Sequence, residues 1–358
     1  MLSNRTFNFI HMLRGIAILF VIWSHLGGWW LSLKGDNSLL GNIIDSSLIR
    51  PFHLYQNGGH LGVLIFFLIS GFIITHVSLR ESAYEFVVKR LFRIFPPLVV
   101  SFIIVYITVS FCLHYSLSLP FGMGYHSLSD YIQSLFLINY INDTPAVNGV
   151  TWTLLIEIIF YCFTALLINK TNNNPVISTY IMMLFVIIIV SLSPFFPYIR
   201  LLANFSVYVL FLLFGRVYYL SSSNIIDTKN TFNLYLSCAF LYVSFYQYLY
   251  PGLLFSVPAP AYPPIYSDIL AIVIFLVAAQ NYKKIGKVNL FLSNTSYSMY
   301  LLHLPVGGLV LVLLDRIGLN FELSFILALT TCFVLSYIML IFIERPSQIL
   351  ARKILMKK

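Results

Sequence analysis

Charged side chains are scarce in this sequence. Asp, Glu, Lys and Arg together account for 9% of its 358 residues, whereas a soluble domain carries about a quarter. The shortage excludes an ordinary soluble protein, which needs charged groups over its whole surface. No polar linker or low-complexity stretch interrupts the chain either. We therefore expect one domain over residues 1–358, with no appended soluble domain.

Cysteine is scarce as well. The four cysteines, Cys112, Cys162, Cys238 and Cys332, all fall within apolar runs. Their spacing does not match that of a zinc site. We interpret them as buried thiols that pack as small hydrophobic groups, and we expect no bound metal.

Long hydrophobic runs fill most of the chain. Hydrophobic residues make up 59% of it, and a run of roughly 20 apolar residues is long enough to cross a bilayer. We identify ten such runs, at 9–31, 60–79, 96–116, 149–168, 176–193, 200–219, 232–249, 265–281, 293–313 and 321–342. The predicted fold is therefore an all-α, polytopic integral membrane protein with about ten transmembrane helices. A shorter run at 129–141 should lie at the interface or re-enter the membrane.

The positive charge is unevenly distributed along these runs. A net charge of +9 could indicate a nucleic-acid partner. If the N-terminus is cytoplasmic, however, only four of the 21 Lys and Arg residues lie outside, namely Lys34, Arg50, Arg200 and Arg316. This bias is typical of membrane topology, and it also attracts anionic lipid headgroups. The sequence thus predicts that both termini are cytoplasmic and that no nucleic acid binds.

Two ionisable residues interrupt the first apolar run, "HMLRGIAILFVIWSHLGGWW". An ionisable group at membrane depth costs about 2.5–3.5 kcal/mol on insertion scales and so needs a partner or a function. Helical periodicity places Arg14 and His25 about 20° apart around the axis and about 16 Å apart along it. Arg14 could instead extend to the headgroups, and His25 could bond to a backbone carbonyl. Because the two residues share one face, we favour a function for the pair.

Two other predicted spans carry polar stripes. In "TWTLLIEIIFY", Glu157 shares a helix face with Thr153 and Tyr161, and it descends from the same outer side as His25, so the two could meet. In "SNTSYSMYLLHLPV", a second stripe is formed by Ser296, Tyr300 and His303. Such stripes can also simply hold helices together.

The second predicted span begins with "NGGHLGVLIFFLISGFIIT". Its glycines, Gly58, Gly59, Gly62 and Gly71, together with Ser70, permit close helix packing. His60, at the outer mouth, is either solvated or part of a site.

Further along, "EFVVKRLFRIFPPL" places Arg90 and Arg93 on one helical face, ahead of a helix that we expect to start at Pro96–Pro97. The two arginines could hold lipid phosphates, or a phosphorylated ligand arriving from the cytoplasm.

Six segments in this order resemble the acyltransferase-3 family of integral-membrane acyltransferases. They are "LRGIAILFVIWSH", "GVLIFFLISGF", "KRLFRIFPPL", "TWTLLIEIIFY", "SYSMYLLHLPV" and "ERP", and from the first to the last they extend over nearly the whole chain. The resemblance implies ten or so spans in a bacterial inner membrane. It also implies transfer of an acyl group, most often acetyl from cytoplasmic acetyl-CoA, to a hydroxyl of a surface glycan such as lipopolysaccharide O-antigen, capsule or exopolysaccharide. The acceptor could be the glycan or a lipid-linked saccharide.

The resemblance also implies roles for individual residues. Arg14 and His25 match the family's essential arginine and histidine, and Glu157 matches its glutamate, although Ile158 stands where many members have a second acid. Arg90 and Arg93 match its basic pair. The residues expected to bind the substrate are His60, Trp152, Tyr297, Tyr300 and His303.

A mechanism consistent with both lines of reasoning assigns the donor to the arginines and the chemistry to a histidine. Arg90 and Arg93 would hold the CoA phosphates, and Arg14 the pantetheine arm or the thioester carbonyl. His25 would act as general base on the sugar hydroxyl, or as a nucleophile that carries the acetyl group. Glu157 would orient His25.

The competing interpretation is a transporter or flippase of lipid-linked saccharides, because charged residues near the midplane also mark transport paths. Against it, we see no inverted repeat in the sequence.

Overall fold

The chain is described by a computed structural model that covers residues 8–35, 38–121, 123–142, 144–251, 262–281 and 284–356. Within these ranges the regular structure is entirely helical. The helices are α1 (Asn8–Lys34), α2 (Leu39–Ile49), α3 (Tyr55–Ser78), α4 (Ala83–His114), α5 (Leu128–Leu135), α6 (Trp152–Leu166), α7 (Ile168–Asn173), α8 (Pro175–Leu192), α9 (Arg200–Ser222), α10 (Thr228–Leu249), α11 (Pro264–Asn281), α12 (Lys287–Arg316) and α13 (Phe321–Met356). Two 3₁₀ turns follow α5 and α8.

Eight of the helices in the described ranges are long and apolar enough to cross a membrane: α1, α3, α4, α8, α9, α11, α12 and α13. The protein is therefore an all-helical, multi-pass membrane protein. The other two predicted spans correspond to α6, which has 15 residues, and to α10, which is longer but rich in polar residues. The count of ten spans stays a prediction.

Contacts between helix ends show which ends lie on the same face of the helix array. A salt bridge of 2.6 Å between Lys34 and Asp315 joins the ends of α1 and α12. At the opposite face, α13 contacts the first half of α4 through Ser347, whose hydroxyl donates to the Phe92 carbonyl at 2.8 Å. We call the face where α1 begins the N-side and the face where it ends the far side.

Helices α3 and α9 pack closely against each other. A Cβ atom at Gly71 would collide with the carbonyl of Leu212, and one at Gly215 would collide with that of Leu68. A Cβ atom at Gly62 would likewise meet the Ala17 carbonyl on α1. Small residues let helix backbones approach in a membrane, where lipid offers side chains no hydrophobic driving force. The predicted packing role of Gly62 and Gly71 is confirmed.

The prediction that a helix starts at Pro96–Pro97 is wrong. Helix α4 begins much earlier, at Ala83, where Ser82 and Glu85 form a capping box, and it continues through both prolines. A proline removes one backbone donor and leaves the carbonyl four residues earlier without its partner. For Pro96 that carbonyl belongs to Phe92, and the hydroxyl of Ser347 occupies it. The helix therefore continues because a neighbouring helix supplies the missing donor.

The short run predicted at 129–141 forms α5, which is too short to span a membrane. Ser127 and Asp130 form a capping box at its start. Tyr131 packs edge-on against Phe102 and Tyr106 of α4.

One of the four cysteine predictions is wrong. Cys112, Cys238 and Cys332 are buried, but Cys162 is exposed on α6. A thiol on a lipid-facing surface is still in an apolar environment, so the hydrophobicity of the run does not distinguish the two positions.

Three spans contain a π-helical segment with an ionisable residue. The segments are Trp23–Trp29 in α1, His303–Gly307 in α12 and Leu340–Glu344 in α13, and they contain His25, His303 and Glu344. π-segments widen a helix locally and occur frequently at functional sites.

Candidate functional site

A cavity of about 90 Å³ lies within the membrane domain, between α1, α3, α4, α6 and α12. Three arginines line it: Arg14 from α1, and Arg90 and Arg93 from α4. The last two are three residues apart and project from one face of their helix, as predicted. The cavity therefore brings together cations that are distant in the sequence.

The charge inside this cluster is not balanced. Arg93, Glu157 and Glu344 lie close enough to Arg14 to interact with it electrostatically, so three arginines face two carboxylates. The Nε of Arg90 is buried and has no hydrogen-bond partner among the described residues. Excess positive charge with an unused donor suits an anionic ligand.

Glu157 lies on the arginine side of the site. Its carboxylate accepts hydrogen bonds from Ser70 at 2.5 Å and from Tyr161 at 3.2 Å. The latter is the i+4 neighbour that the sequence placed on the same face. The structure does not bring Glu157 to His25: the Nδ1 of His25 faces His303, and the partners of the Glu157 carboxylate are Ser70 and Tyr161.

Glu344 belongs to the same cluster and was missed by the sequence analysis. It is buried, accepts a hydrogen bond from Ser298 and lies near Arg93 and Arg14. The signal was available, since Glu344 is the acid of the "ERP" segment at the end of the last span.

A second, basic pocket of about 220 Å³ lies on the N-side of the cavity. Lys89 and Arg352 line it, and it shares Arg90 and Arg93 with the cavity. One acid, Glu81, also lines this pocket and pairs with Lys89 at 2.7 Å. We call this pocket the basic vestibule. Its shared arginines make it the N-side approach to the cavity.

Toward the far side, His25 pairs with His303. The Nδ1 of His25 lies 2.9 Å from the Nε2 of His303. The Nδ1 of His303 faces the carbonyls of Tyr300, at 2.8 Å, and Met299, at 3.2 Å. Carbonyls accept only, so this Nδ1 carries a proton and donates it.

The tautomers of the pair follow from that assignment. In a neutral His303 the Nε2 accepts, so the Nδ1 of His25 must donate to it. The lone pair of His25 is then on its Nε2. His303 is fully buried, whereas His25 is only half-buried, so His25 is the member of the pair that a substrate can reach.

A hydrogen bond from a side chain stabilises the helix around His303. Pro305 lacks an N–H, which leaves the Leu301 carbonyl, four residues earlier, without its helical partner. The side-chain amide of Asn148, which is fully buried, donates to that carbonyl at 2.9 Å. Asn148 therefore stabilises the segment that positions the histidine pair, and nothing in the sequence pattern indicated it.

Tyr300 links the cavity to the histidine pair. It lines the cavity, and its ring centroid lies 6.0 Å from that of His303. Its hydroxyl donates to the Val150 carbonyl at 3.0 Å and lies 2.8 Å from the hydroxyl of Thr153. The predicted polar stripe on α12 thus both holds α6 and runs from the arginines to the histidines. Tyr297 also lines the cavity, and its hydroxyl donates to Ile94.

Two predicted substrate-binding residues lie elsewhere. His60 is buried and pairs with Asp268 at 2.8 Å, while Tyr242 donates to the same carboxylate at 3.1 Å. The alternative that His60 is solvated is therefore wrong. Trp152 stacks on Phe205, with ring centroids 5.5 Å apart. Neither side chain lines the arginine cavity.

The arrangement thus combines a cationic cavity with a half-buried imidazole in one membrane domain. The chain belongs to the acyltransferase-3 family: it matches the family described as "Acyltransferase domain" over residues 7–344. It is thus an acyltransferase of the integral-membrane class.

Among curated relatives, the chain is similar to an "O-acetyl transferase" of Shigella phage Sf6, with 27% identity over 150 residues. This match covers 38% of the chain and 42% of the relative. No solved structure matches the chain.

Proposed function

We propose that the protein transfers an acetyl group from acetyl-CoA, bound from the N-side, to a hydroxyl of a cell-surface glycan at His25. The observation that carries the proposal is the row of neighbouring side chains along α12, in which Tyr300 lines the arginine cavity and packs near His303, the partner of His25. The name of the phage relative supports the O-acetyl chemistry.

The donor would enter through the basic vestibule. CoA carries several phosphate charges at one end and its thioester at the end of a long, flexible arm. Lys89, Arg352 and the shared arginines Arg90 and Arg93 would hold the phosphates by charge-assisted hydrogen bonds. The arm would then extend past Arg14, whose guanidinium can donate hydrogen bonds to a carbonyl of the pantetheine arm, and would present the thioester to His25, about 16 Å further along α1.

His25 would act as the general base. Its Nε2 takes the proton of the sugar hydroxyl while that oxygen attacks the thioester carbon. The C–S bond then breaks, and the departing thiolate receives the proton from His25. The imidazolium formed in between is stabilised by its Nδ1–H bond to His303. His303 thus takes the orienting role that the sequence analysis gave to Glu157. Attack by Nε2 itself, to form an acetyl-histidine, uses the same geometry.

The proposed acceptor is an O-antigen, capsule or exopolysaccharide hydroxyl, and the proposed location is a bacterial inner membrane. Acetyl-CoA is cytoplasmic and such glycans are finished outside. A membrane-embedded site with a donor entrance on one side and its histidine toward the other suits that division.

The test uses the purified protein in lipid nanodiscs with radiolabelled acetyl-CoA and two acceptors from a strain that lacks the gene, the surface polysaccharide and its lipid-linked precursor. Label should appear on at least one of these acceptors with the wild-type protein and on neither with His25→Ala. If the label stays on CoA while saccharide crosses the membrane of proteoliposomes, the protein is a transporter instead. Mass spectrometry of surface polysaccharide from strains with and without the gene identifies the modified sugar.

A further inference from the structure

A groove lies outside the site already described, between α4 and the short helix α5. Its volume is about 490 Å³. Ile103 and Tyr106 form its α4 wall, Tyr131 and Ile132 form its α5 wall, and Tyr125 and His126 close one end. We call it the α4–α5 groove. Its lining is almost entirely apolar or aromatic.

The groove opens toward the bilayer. Helix α4 crosses the membrane, and Ile103 and Ile132 are both exposed at the groove. An apolar slot that is open to lipid at this depth accepts hydrocarbon, because no polar ligand would leave water for it. A slot between two single helices fits one chain.

One polar atom in the groove needs a hydrogen-bond partner, which a hydrocarbon chain cannot supply. The Nε2 of His126 is buried and has no hydrogen-bond partner among the described residues. A buried polar atom left unsatisfied costs about 1–3 kcal/mol. An occupant with a polar group at this end and an apolar chain along the rest would remove that cost. The occupant is therefore an amphiphile with a single chain.

The polar end of the groove leads to the catalytic histidine. The ring of Phe121 lies 4.0 Å from that of Trp29, and the ring of Trp29 lies 6.4 Å from that of His25. Four Cα–Cα steps lead from Phe121 to Tyr125, which bounds the distance between their Cα atoms at about 14 Å. A headgroup anchored near His126 can thus extend over this aromatic path to His25.

From these observations we infer that the α4–α5 groove binds the hydrocarbon chain of a lipid-linked saccharide, and that this saccharide is the acetyl acceptor. The inference rests on the proposed function. A polyprenyl carrier has the single chain, the phosphate and the sugar that the groove, His126 and His25 each require. A membrane phospholipid such as phosphatidylglycerol has two chains and no saccharide to present.

The binding test uses a photoactivatable polyprenyl phosphate, with the reactive group in its chain, and the full-length protein in nanodiscs. Labelling should map by mass spectrometry to peptides that cover residues 99–113 and 125–135. Ile103→Trp fills the groove and should lower labelling about tenfold, because the chain loses buried apolar area. Ile326→Trp is the matched control: Ile103 is 53% exposed and Ile326 is 54% exposed, but Ile326 lies on α13, away from the groove.

Competition identifies the occupant. Excess unlabelled polyprenyl phosphate should remove the labelling, and excess phosphatidylglycerol should not. Equal competition by phosphatidylglycerol, or labelling that Ile103→Trp leaves unchanged, would overturn the inference. In cells, Ile103→Trp should also lower surface acetylation severalfold relative to Ile326→Trp.

The two proposals fail separately. If the wild-type protein transfers no label from acetyl-CoA but the probe still maps to the groove, the lipid site stands and the acetyltransferase proposal falls. If label is transferred and the probe binds elsewhere, only the groove inference falls.

Discussion

The backbone carbonyls that His303 faces determine which ring nitrogens of the His25–His303 pair carry the protons. Two carbonyls of α12 hold the Nδ1–H of His303, so its Nε2 stays available to accept from His25. Rotation of the His25 ring is then restricted by one hydrogen bond, and its free nitrogen has a fixed direction. At the scale of single residues, the proposed chemistry depends on this pair.

Replacing His25 is therefore the most direct test. His25→Ala should lower kcat by about 10²- to 10⁴-fold, the usual contribution of a general base. The measurement is the initial rate of label transfer, with gel-filtration elution and thermal unfolding as controls for folding. An enzyme that keeps its rate without this imidazole would contradict the assignment.

His303 should act through His25 as a positioning residue. His303→Leu removes the acceptor for the His25 Nδ1–H and should lower kcat by about 10- to 100-fold, since a hydrogen bond to a charged group is lost. His303→Gln keeps an acceptor oxygen and should recover part of the rate. The pH dependence of kcat should also change in His303→Leu. Equal losses in both variants, with an unchanged pH profile, would indicate a packing role only.

Arg14 should not tolerate lysine. Its planar guanidinium can bind a carbonyl oxygen and a carboxylate at once, whereas an ammonium is a point charge. Arg14→Lys should therefore lower kcat/KM for acetyl-CoA by at least about tenfold. Titration of acetyl-CoA into the variant checks this. A full rate in Arg14→Lys would show that Arg14 contributes only a positive charge beside Glu157 and Glu344.

The sequence predicted most of the cationic site and less of the histidine site. An ionisable residue in an apolar run is conspicuous, so Arg14, Glu157, Arg90 and Arg93 could be found without a structure. Which groups pair with each other depends on which helices are neighbours. His25 faces α12 rather than α6, and for that reason its partner is His303 and not Glu157.

The prolines also show, at the scale of helices, that the sequence does not reveal which distant groups come into contact. "FPPL" is a typical helix start, yet α4 continues through it because Ser347 of α13 bonds to the freed Phe92 carbonyl. In α12, Asn148 does the same for the carbonyl freed by Pro305. Both donors lie more than 150 residues away in the sequence from the carbonyls to which they donate. The local sequence shows the proline that removes a backbone hydrogen bond, but not the distant side chain that replaces that bond.

The contact between Asn148 and α12 can be tested alone. Asn148→Ala leaves the Leu301 carbonyl buried without a donor and should lower the free energy of unfolding by about 1–3 kcal/mol. Activity should fall as well, since the same segment orients His303. Asn142→Ala is the matched control, because the side-chain bond of Asn142 to Gln133 is exposed. Equal thermal stability of the two variants would refute the role of Asn148.

Helical periodicity also fails locally where the helix widens. The 100° step used for Arg14 and His25 assumes a regular α-helix, but His25 lies in the π-segment Trp23–Trp29. Both residues nevertheless follow α12, since Arg14 shares the cavity with Ser296 and Tyr297 while His25 contacts His303. The amphipathic pattern thus predicts that Arg14 and His25 share a face of α1, but not the exact angle between them or the helix that they contact.

At the scale of the whole molecule, the positions of the charged residues and of the two cavities both indicate a path from the N-side toward the far side. The basic vestibule opens at the N-side, where α1 begins, and the histidine pair lies toward the far side. Eight or ten spans are both even, so the two termini share a side under either count. An acetyltransferase that uses cytoplasmic acetyl-CoA then requires the N-side to face the cytoplasm.

This orientation can be measured with single cysteines and a membrane-impermeant maleimide on intact cells. Arg352 in the vestibule and Lys34 at the far end of α1 are both exposed. Lys34→Cys should be labelled from outside, because positive residues concentrate on the cytoplasmic side and Lys34 belongs to the sparse outer set. Arg352→Cys should be labelled only after the cells are made permeable, and the unsubstituted protein supplies the background from Cys162. Labelling of Arg352→Cys in intact cells would place the vestibule outside, where acetyl-CoA is absent, and the donor path would have to be abandoned.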